Sequence, residues 1–206
     1  MSLKSNSSIL DKVEDLLVPK STSSASGKLK VLMVGAEVAP FASVGGYSRV
    51  LGYLSGALLR SGHDVRVFMP KFGFIEEDEY GLEMICEGLK VPTDNPEKPY
   101  LICNVKKYEV SGRPIVYFLE NREYYELRAN VYGYADDPVR WALLSRGVLE
   151  FLNTCADWEP DIIHVNDWHT GAVPNYLKTS YKDDERLQKI ATVFTIHNLS
   201  YQGMFD

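Results

Sequence analysis

The stretch "KVLMVGAEVAPFASVGGYSRV", residues 30–50, decides the fold. Its opening, Lys30 to Gly35, is a short apolar run rich in valine, as expected of a strand buried on both faces. Its close starts a helical pattern over about 46–61, with Val50, Leu51, Leu54, Leu58 and Leu59 at helix spacing. Gly45-Gly46 sits at the junction. The pattern stops at Ser61-Gly62, where glycine suits a left-handed C-cap. "DVRVFMP" (64–70) then reads as a second strand, closed by Pro70. Strand, helix and strand in this order form a right-handed unit with parallel strands.

Working outward, three strand-like runs follow: "LEMICEGLKV", "YLICNVKKYEV" and "RPIVYFLE". Ser111-Gly112 marks a hairpin between two of them. They predict a mixed or antiparallel insertion at the sheet edge, over about 81–120. A helix is expected at 137–154, with Val139, Leu143, Leu144, Val148, Phe151 and Leu152 as its apolar stripe. Alternation then resumes, with a strand at 161–165, a short helix at 168–179 and a strand at 189–197. The sum is an α/β fold, a doubly wound, mostly parallel, Rossmann-like sheet over 29–206. Residues 1–28 read as a leader, with helical spacing over 9–18, and a Ser-rich linker. The end, "LSYQGMFD", is a loop directly after a strand. It suggests one part of a longer enzyme.

Composition narrows the partners. The net charge of the 206 residues is -6, with no basic run, which argues against a nucleic-acid polymer. A small anion remains possible, since a few local dipoles suffice for one phosphate. No apolar run reaches the roughly 18 residues that span a membrane. No basic-then-apolar signal peptide opens the chain. Cys86, Cys103 and Cys155 are widely spaced and read as idle thiols of a reducing compartment.

Ligands of open α/β sheets sit beyond the C-terminal ends of the strands. Three polar clusters fall there: Gly45-Gly46, the run from His164 through Asn166, Asp167, Trp168 and His169, and His197-Asn198 with Gln202-Gly203. The glycines suit either a structural turn or an anion cradle, in which free N–H groups open a helix. His164, Asp167, His169 and His197 could together hold zinc or manganese. Alternatively His164 bonds within the sheet. Asp167, Trp168 and His169 then make a sugar-binding loop, with the indole against a pyranose face. His197 reads equally as a strand cap or a ligand group. Tyr132 and Tyr134 read as loop packing or as sugar platforms.

Taken together, "VLMVGAEVAPFASVGGYSRV", "HDVRVFMPKFG", "YGYADDPVRWALLSRGVLEFL", "PDIIHVNDWHTGAVPNYL" and "TVFTIHNLSYQGMF" resemble the N-terminal domain of bacterial glycogen synthases and plant starch synthases. The resemblance runs from about Leu29 to the end. It implies a two-domain retaining glucosyltransferase that moves glucose from ADP-glucose to the non-reducing end of an α-1,4-glucan. By that resemblance His197 is catalytic, and Gly45, Gly46, Ser43 and Asn198 bind the donor. Asp167, Trp168, His169, Tyr201 and Gln202 line the acceptor side. The resemblance implies no metal and no cofactor, a C-terminal domain elsewhere in the chain, and no activity from these residues alone. It also implies bacterial cytoplasm, or a plastid if the source is a plant. The glycine loop departs from the family's usual Lys-Thr-Gly-Gly-Leu, reading Ser43-Val44-Gly45-Gly46-Tyr47. Either Arg49 substitutes for the missing cation, or Ser43 and the loop N–H groups serve with cations from the other domain. A metal-dependent hydrolase and a non-catalytic glucan-binding module are the rival readings.

Overall fold

The computed structural model describes residues 27–205. The leader helix expected over 9–18, and nearly all of the Ser-rich linker, lie outside the described residues.

Seven strands form one sheet in the order β3-β4-β5-β2-β1-β6-β7. They are β1 (Lys30–Val34), β2 (Asp64–Pro70), β3 (Glu83–Pro92), β4 (Tyr100–Tyr108), β5 (Ile115–Glu120), β6 (Ile162–Asn166) and β7 (Ala191–Thr195). Strands β5, β2, β1, β6 and β7 run parallel. At one edge β4 pairs antiparallel with β5 and β3 pairs antiparallel with β4, so β4 runs against the other six strands. The insertion is therefore narrower than 81–120, because β5 returns to pair parallel with β2, Phe68 opposite Tyr117. Central β1 explains its own composition: Val31, Leu32, Met33 and Val34 are all buried, so both faces must be apolar.

Among the described residues, four α-helices accompany the sheet: α1 (Gly46–Arg60), α2 (Glu77–Tyr80), α3 (Asp137–Thr154) and α4 (Ala172–Lys178). The β1-α1-β2 crossover runs toward β3, and the β5-α3-β6 crossover runs toward β7. Right-handed crossovers in opposite directions put α1 and α3 on opposite faces. The direction reverses between β1 and β6, and the C-terminal ends of these two strands make the natural crevice. Helix α1 ends as its sequence requires. Gly62 adopts φ +97°, and its N–H reaches the Leu59 carbonyl at 3.0 Å. Gly147 brings α3 close over β5, since a Cβ there would lie 2.6 Å from Leu119 Cδ2.

Three expectations need correction. Val50 and Val139 are 44% and 46% exposed, so the true apolar stripes are narrower than the spacing suggests. The helix expected at 168–179 is split into a 3-10 turn, Trp168–Thr170, and α4. Pro174 gives the reason. In the first turn of a helix starting at Ala172 its missing N–H costs nothing, but in a helix starting at Trp168 it would break an interior bond. The cysteines are not all idle thiols: Cys86 on β3 and Cys155 at the end of α3 form a disulfide, with Cα atoms 5.9 Å apart. Cys103 is free and buried, and burial pushes its thiol up to about 12.

Candidate active site

A cleft of about 650 Å³ opens at the crevice between β1 and β6. Gly45, Gly46 and Tyr47 line it from the start of α1, Asp167 and His169 from the turn after β6, and His197, Asn198 and Tyr201 from the loop after β7. The three clusters expected at strand ends therefore meet in one cavity.

The glycine loop is not an empty cradle. Glu37, 1% exposed, turns its carboxylate back onto the loop. The Gly45 N–H donates to both its oxygens, each at 3.0 Å, and the Val44 N–H donates to Oε2. An internal carboxylate thus occupies part of the anion position that the sequence offers. The two glycines also differ. A Cβ on Gly45 would lie 2.9 Å from Glu37 Oε1, whereas a Cβ on Gly46 would meet nothing within 4 Å. Gly45 makes room for the carboxylate, and Gly46 is the residue whose bare backbone faces the open cleft. Tyr47 completes the wall. Its hydroxyl accepts from the Ala36 and Glu37 N–H groups at 2.9 and 3.1 Å. Its ring stacks on His197 with centroids 5.3 Å apart.

His197 is oriented by its neighbours. Asn166 Nδ2 donates to the Val34 and His164 carbonyls, at 3.1 and 3.2 Å. Asn166 Oδ1 then faces His197 Nε2 at 2.9 Å. An amide oxygen only accepts, so Nε2 carries the proton, and Nδ1 of the neutral ring is left as an acceptor. Asp167 fixes the main chain beside it: Oδ1 accepts from the His197 N–H at 2.6 Å. Asp167 itself has φ 56° and ψ -180°, a region nearly confined to glycine. Its backbone is strained where β6 hands over to the Trp168 turn.

His169 is 5% exposed, and neither ring nitrogen has a hydrogen-bond partner. Burial pulls it down to about 4 from its usual 6.5, so it is neutral at neutral pH. Aromatic rings surround it: Trp168 at 4.3 Å, Tyr132 at 5.0 Å and Trp141 at 5.1 Å between centroids. The indole N–H groups of Trp141 and Trp168 are also unpaired. Orphaned polar groups this deep are rare. Here they gather around one cleft-lining histidine, which suits a ligand rich in hydroxyls.

Other expected residues are placed differently. Ser43 sits outside the cleft: its Oγ bonds Ser48 Oγ at 2.8 Å, and it is not among the lining residues. Trp168 stands behind His169 and packs on Phe205, with ring centroids 5.3 Å apart. Gln202 is exposed and donates to the Asn198 carbonyl at 2.5 Å, shaping the loop from outside. Tyr132 lines the cleft, while Tyr134 lies between Arg128 and Arg140, each about 4.9 Å from its ring, as a structural group. Arg49 lines a different cavity.

Among the described residues, the ligand atoms of the metal reading do not converge on one point. His164 Nε2 bonds Thr195 Oγ1 within the sheet at 2.7 Å, and Asp167 and His197 are engaged as described. Among the described residues, ligand atoms converge only at Glu77, Glu120 and Glu126, far from these histidines in sequence and already holding Lys71 and Lys106. Sequence reasoning did not reach Glu37, and it named Tyr47 and Asn166 without their roles. Glu37 carried a signal, as an acid beyond the C-terminal end of a buried strand. Asn166 carried one too, since a strand-end amide beside two histidines can set a tautomer.

Known proteins resemble this chain in sequence, and one solved structure resembles it in fold. Glycogen synthase 2 of Geobacter sulfurreducens is 42% identical over 183 residues, covering 86% of this chain and 36% of its own length. Glycogen synthase of Caldicellulosiruptor saccharolyticus is 42% identical over 179 residues, with the same shares of 86% and 36%. The solved catalytic domain of starch synthase IV from Arabidopsis thaliana, bound to ADP and acarbose, superposes with a TM-score of 0.75 at 30% identity. That match covers 85% of this chain and 35% of the other. The chain thus spans about a third of the length of the relatives it matches. With a family model matching residues 30–206, the chain belongs to the family of starch synthase catalytic domains.

Proposed function

We propose that this chain forms the donor- and acceptor-facing half of a retaining glucosyltransferase. The reaction moves glucose from ADP-glucose to the non-reducing end of an α-1,4-glucan. Family membership supports it, as do the names of the relatives and the ADP and acarbose bound to the starch synthase IV domain. The observation that carries it is the cleft itself: main chain, two imidazoles and a hydroxyl-seeking aromatic pocket face one space.

In this reading the Gly46 backbone approaches the donor diphosphate, at the positive end of α1. Nδ1 of His197 accepts from a donor glucose hydroxyl, and Asn198 borders the same sugar. His169, Asp167 and Tyr201 face the acceptor, with Trp168 and Gln202 supporting their loops from behind. The bond from the anomeric carbon to the diphosphate breaks, the acceptor hydroxyl oxygen bonds that carbon, and its proton leaves with the diphosphate. Both cleft carboxylates, Glu37 and Asp167, are engaged by main-chain N–H groups, Glu37 through both oxygens and Asp167 through Oδ1. That favours positioning and electrostatic stabilisation over a carboxylate nucleophile. The nucleotide and most phosphate cations then belong to a second domain of the whole protein, working in the cytoplasm without a metal.

The test uses a full-length synthase carrying this domain. His197→Ala lowers kcat for transfer from labelled ADP-glucose by about 10²-fold or more, with a smaller change in KM. The 206-residue chain alone makes no polymer. Unchanged kcat in the variant, or synthesis by the isolated chain, overturns the reading.

A further inference from the structure

Helix α1 borders a second cavity, of about 490 Å³, that shares no lining residue with the cleft. The loop around Pro40 and the turn between β4 and β5 close it. Arg49 and Arg60 reach it from the helix, and Arg113 reaches it from the turn. No Asp or Glu lines it. Elsewhere Arg66, Arg128, Arg140, Arg146 and Arg186 each pair with a carboxylate. Among the described residues, Arg49, Arg60 and Arg113 form no ion pair, and the remaining unpaired arginine is Arg122. In a chain of net charge -6, three unneutralised guanidiniums around one hollow are a local reversal of sign.

The wall between them is shaped as well as charged. Gly52 lets the Pro40 loop sit on the helix, since a Cβ there would lie 2.7 Å from the Ala39 carbonyl oxygen. Gly56 leaves bare helix beneath Arg60, whose Nη1 would lie 3.3 Å from a Cβ at that position. Tyr53 stands at the rim, 77% exposed, with its ring facing no partner ring.

We propose that this cavity binds a phosphorylated sugar, separately from the cleft and independently of the cleft's assignment. Guanidiniums on two walls match phosphate oxygens in bidentate pairs. The Tyr53 ring offers an apolar face to a pyranose. The volume suits a ligand of that size.

Titration calorimetry of the 206-residue chain tests this, with glucose 1,6-bisphosphate as the probe. Pyrophosphate and glucose serve as the ring-less and uncharged controls. Saturable binding of the bisphosphate is expected, weaker in high salt, with pyrophosphate weaker and glucose silent. Arg60→Gln and Arg113→Gln, on separate elements and exposed, should each weaken it about tenfold while melting like the parent. Tyr53→Ala should bring the bisphosphate down to the pyrophosphate level, and His169→Gln in the cleft should change nothing. The proposal fails if nothing saturates at about 10 mM, where even a millimolar site fills. It fails equally if the arginine variants bind as the parent does, if pyrophosphate binds as tightly, or if the cleft variant abolishes binding.

Discussion

Replacing Glu37 by Ala isolates the contact that shapes the glycine loop. The carboxylate is buried and accepts from two main-chain donors, the N–H groups of Val44 and Gly45. Hydrogen bonds to a charged acceptor are worth about 1.5–3 kcal/mol each, and a donor left buried without a partner costs about 1–3 kcal/mol. Both donors lie in an exposed stretch, residues 43–46, so water replaces part of the loss. A net destabilisation of about 2–3 kcal/mol follows. At about 2–4 °C per kcal/mol for a chain of this size, the melting temperature drops by about 4–12 °C. Glu37→Gln, which keeps one acceptor, should fall about halfway. Hydrogen exchange reads the same contact directly. The Val44 and Gly45 amides should be protected in the parent and exchange at the rate of exposed loop amides in Glu37→Ala. If the Ala variant melts within about 1 °C of the parent and both amides keep their protection, Glu37 does not hold the loop.

Other perturbations probe the rest of the molecule. His169 sits at about 4 when folded against a usual 6.5, so the fold resists protonating it. Its contribution is complete above pH 6.5 and is lost as pH falls from 6.5 to about 4, by about 3 kcal/mol at most. Urea unfolding of His169→Phe across that window should show a correspondingly flatter pH profile, and parallel profiles would contradict its burial as a neutral ring. Lys106 Nζ lies 2.5 Å from both Glu77 and Glu120. Lys106→Ala should cost about 3–5 kcal/mol in urea unfolding, with part recovered by adding Glu120→Ala; a cost under about 1 kcal/mol would mean the cluster is solvated. Ser43→Lys in a full-length synthase should leave glucosyl transfer measurable, because the Ser43 hydroxyl faces Ser48 rather than the cleft; complete loss of transfer would contradict that placement.

What the sequence made legible, and what it hid, follows from which forces are local. The βαβ units could be read because a strand buried on both faces must be apolar throughout, as β1 is, and because Gly62 must end α1. The three strand-end clusters could be read because an open sheet gathers its loops on one edge. The pairing of β5 with β2 could not, since a short apolar run carries no mark of its neighbour's direction. The Cys86–Cys155 disulfide was hidden for a related reason: nothing in a separation of 69 residues says that β3 ends up beside the last turn of α3. The side chains that shape the cleft, Glu37, Tyr47 and Asn166, act on main-chain groups and on the His197 ring. Their spacing shows no pattern until the strands are laid side by side.

The departures in the glycine loop make sense as one rearrangement. Tyr47 stands where the family's usual pattern has leucine, and its hydroxyl reaches across to the Ala36 and Glu37 amides at the end of β1. A leucine has no hydroxyl and could accept from neither. The hydroxyl therefore ties the first turn of α1 to the loop after β1, while the Glu37 carboxylate ties that loop to residues 44 and 45. The junction is thus braced from both sides, by a hydroxyl and a carboxylate. Arg49 and Arg60 are then left on the helix wall that faces the second cavity, with Val50 and Gly46 on the cleft side. Helix α1 is a partition between two hollows of different character, one lined by imidazoles and carboxylates and the other by unpaired guanidiniums.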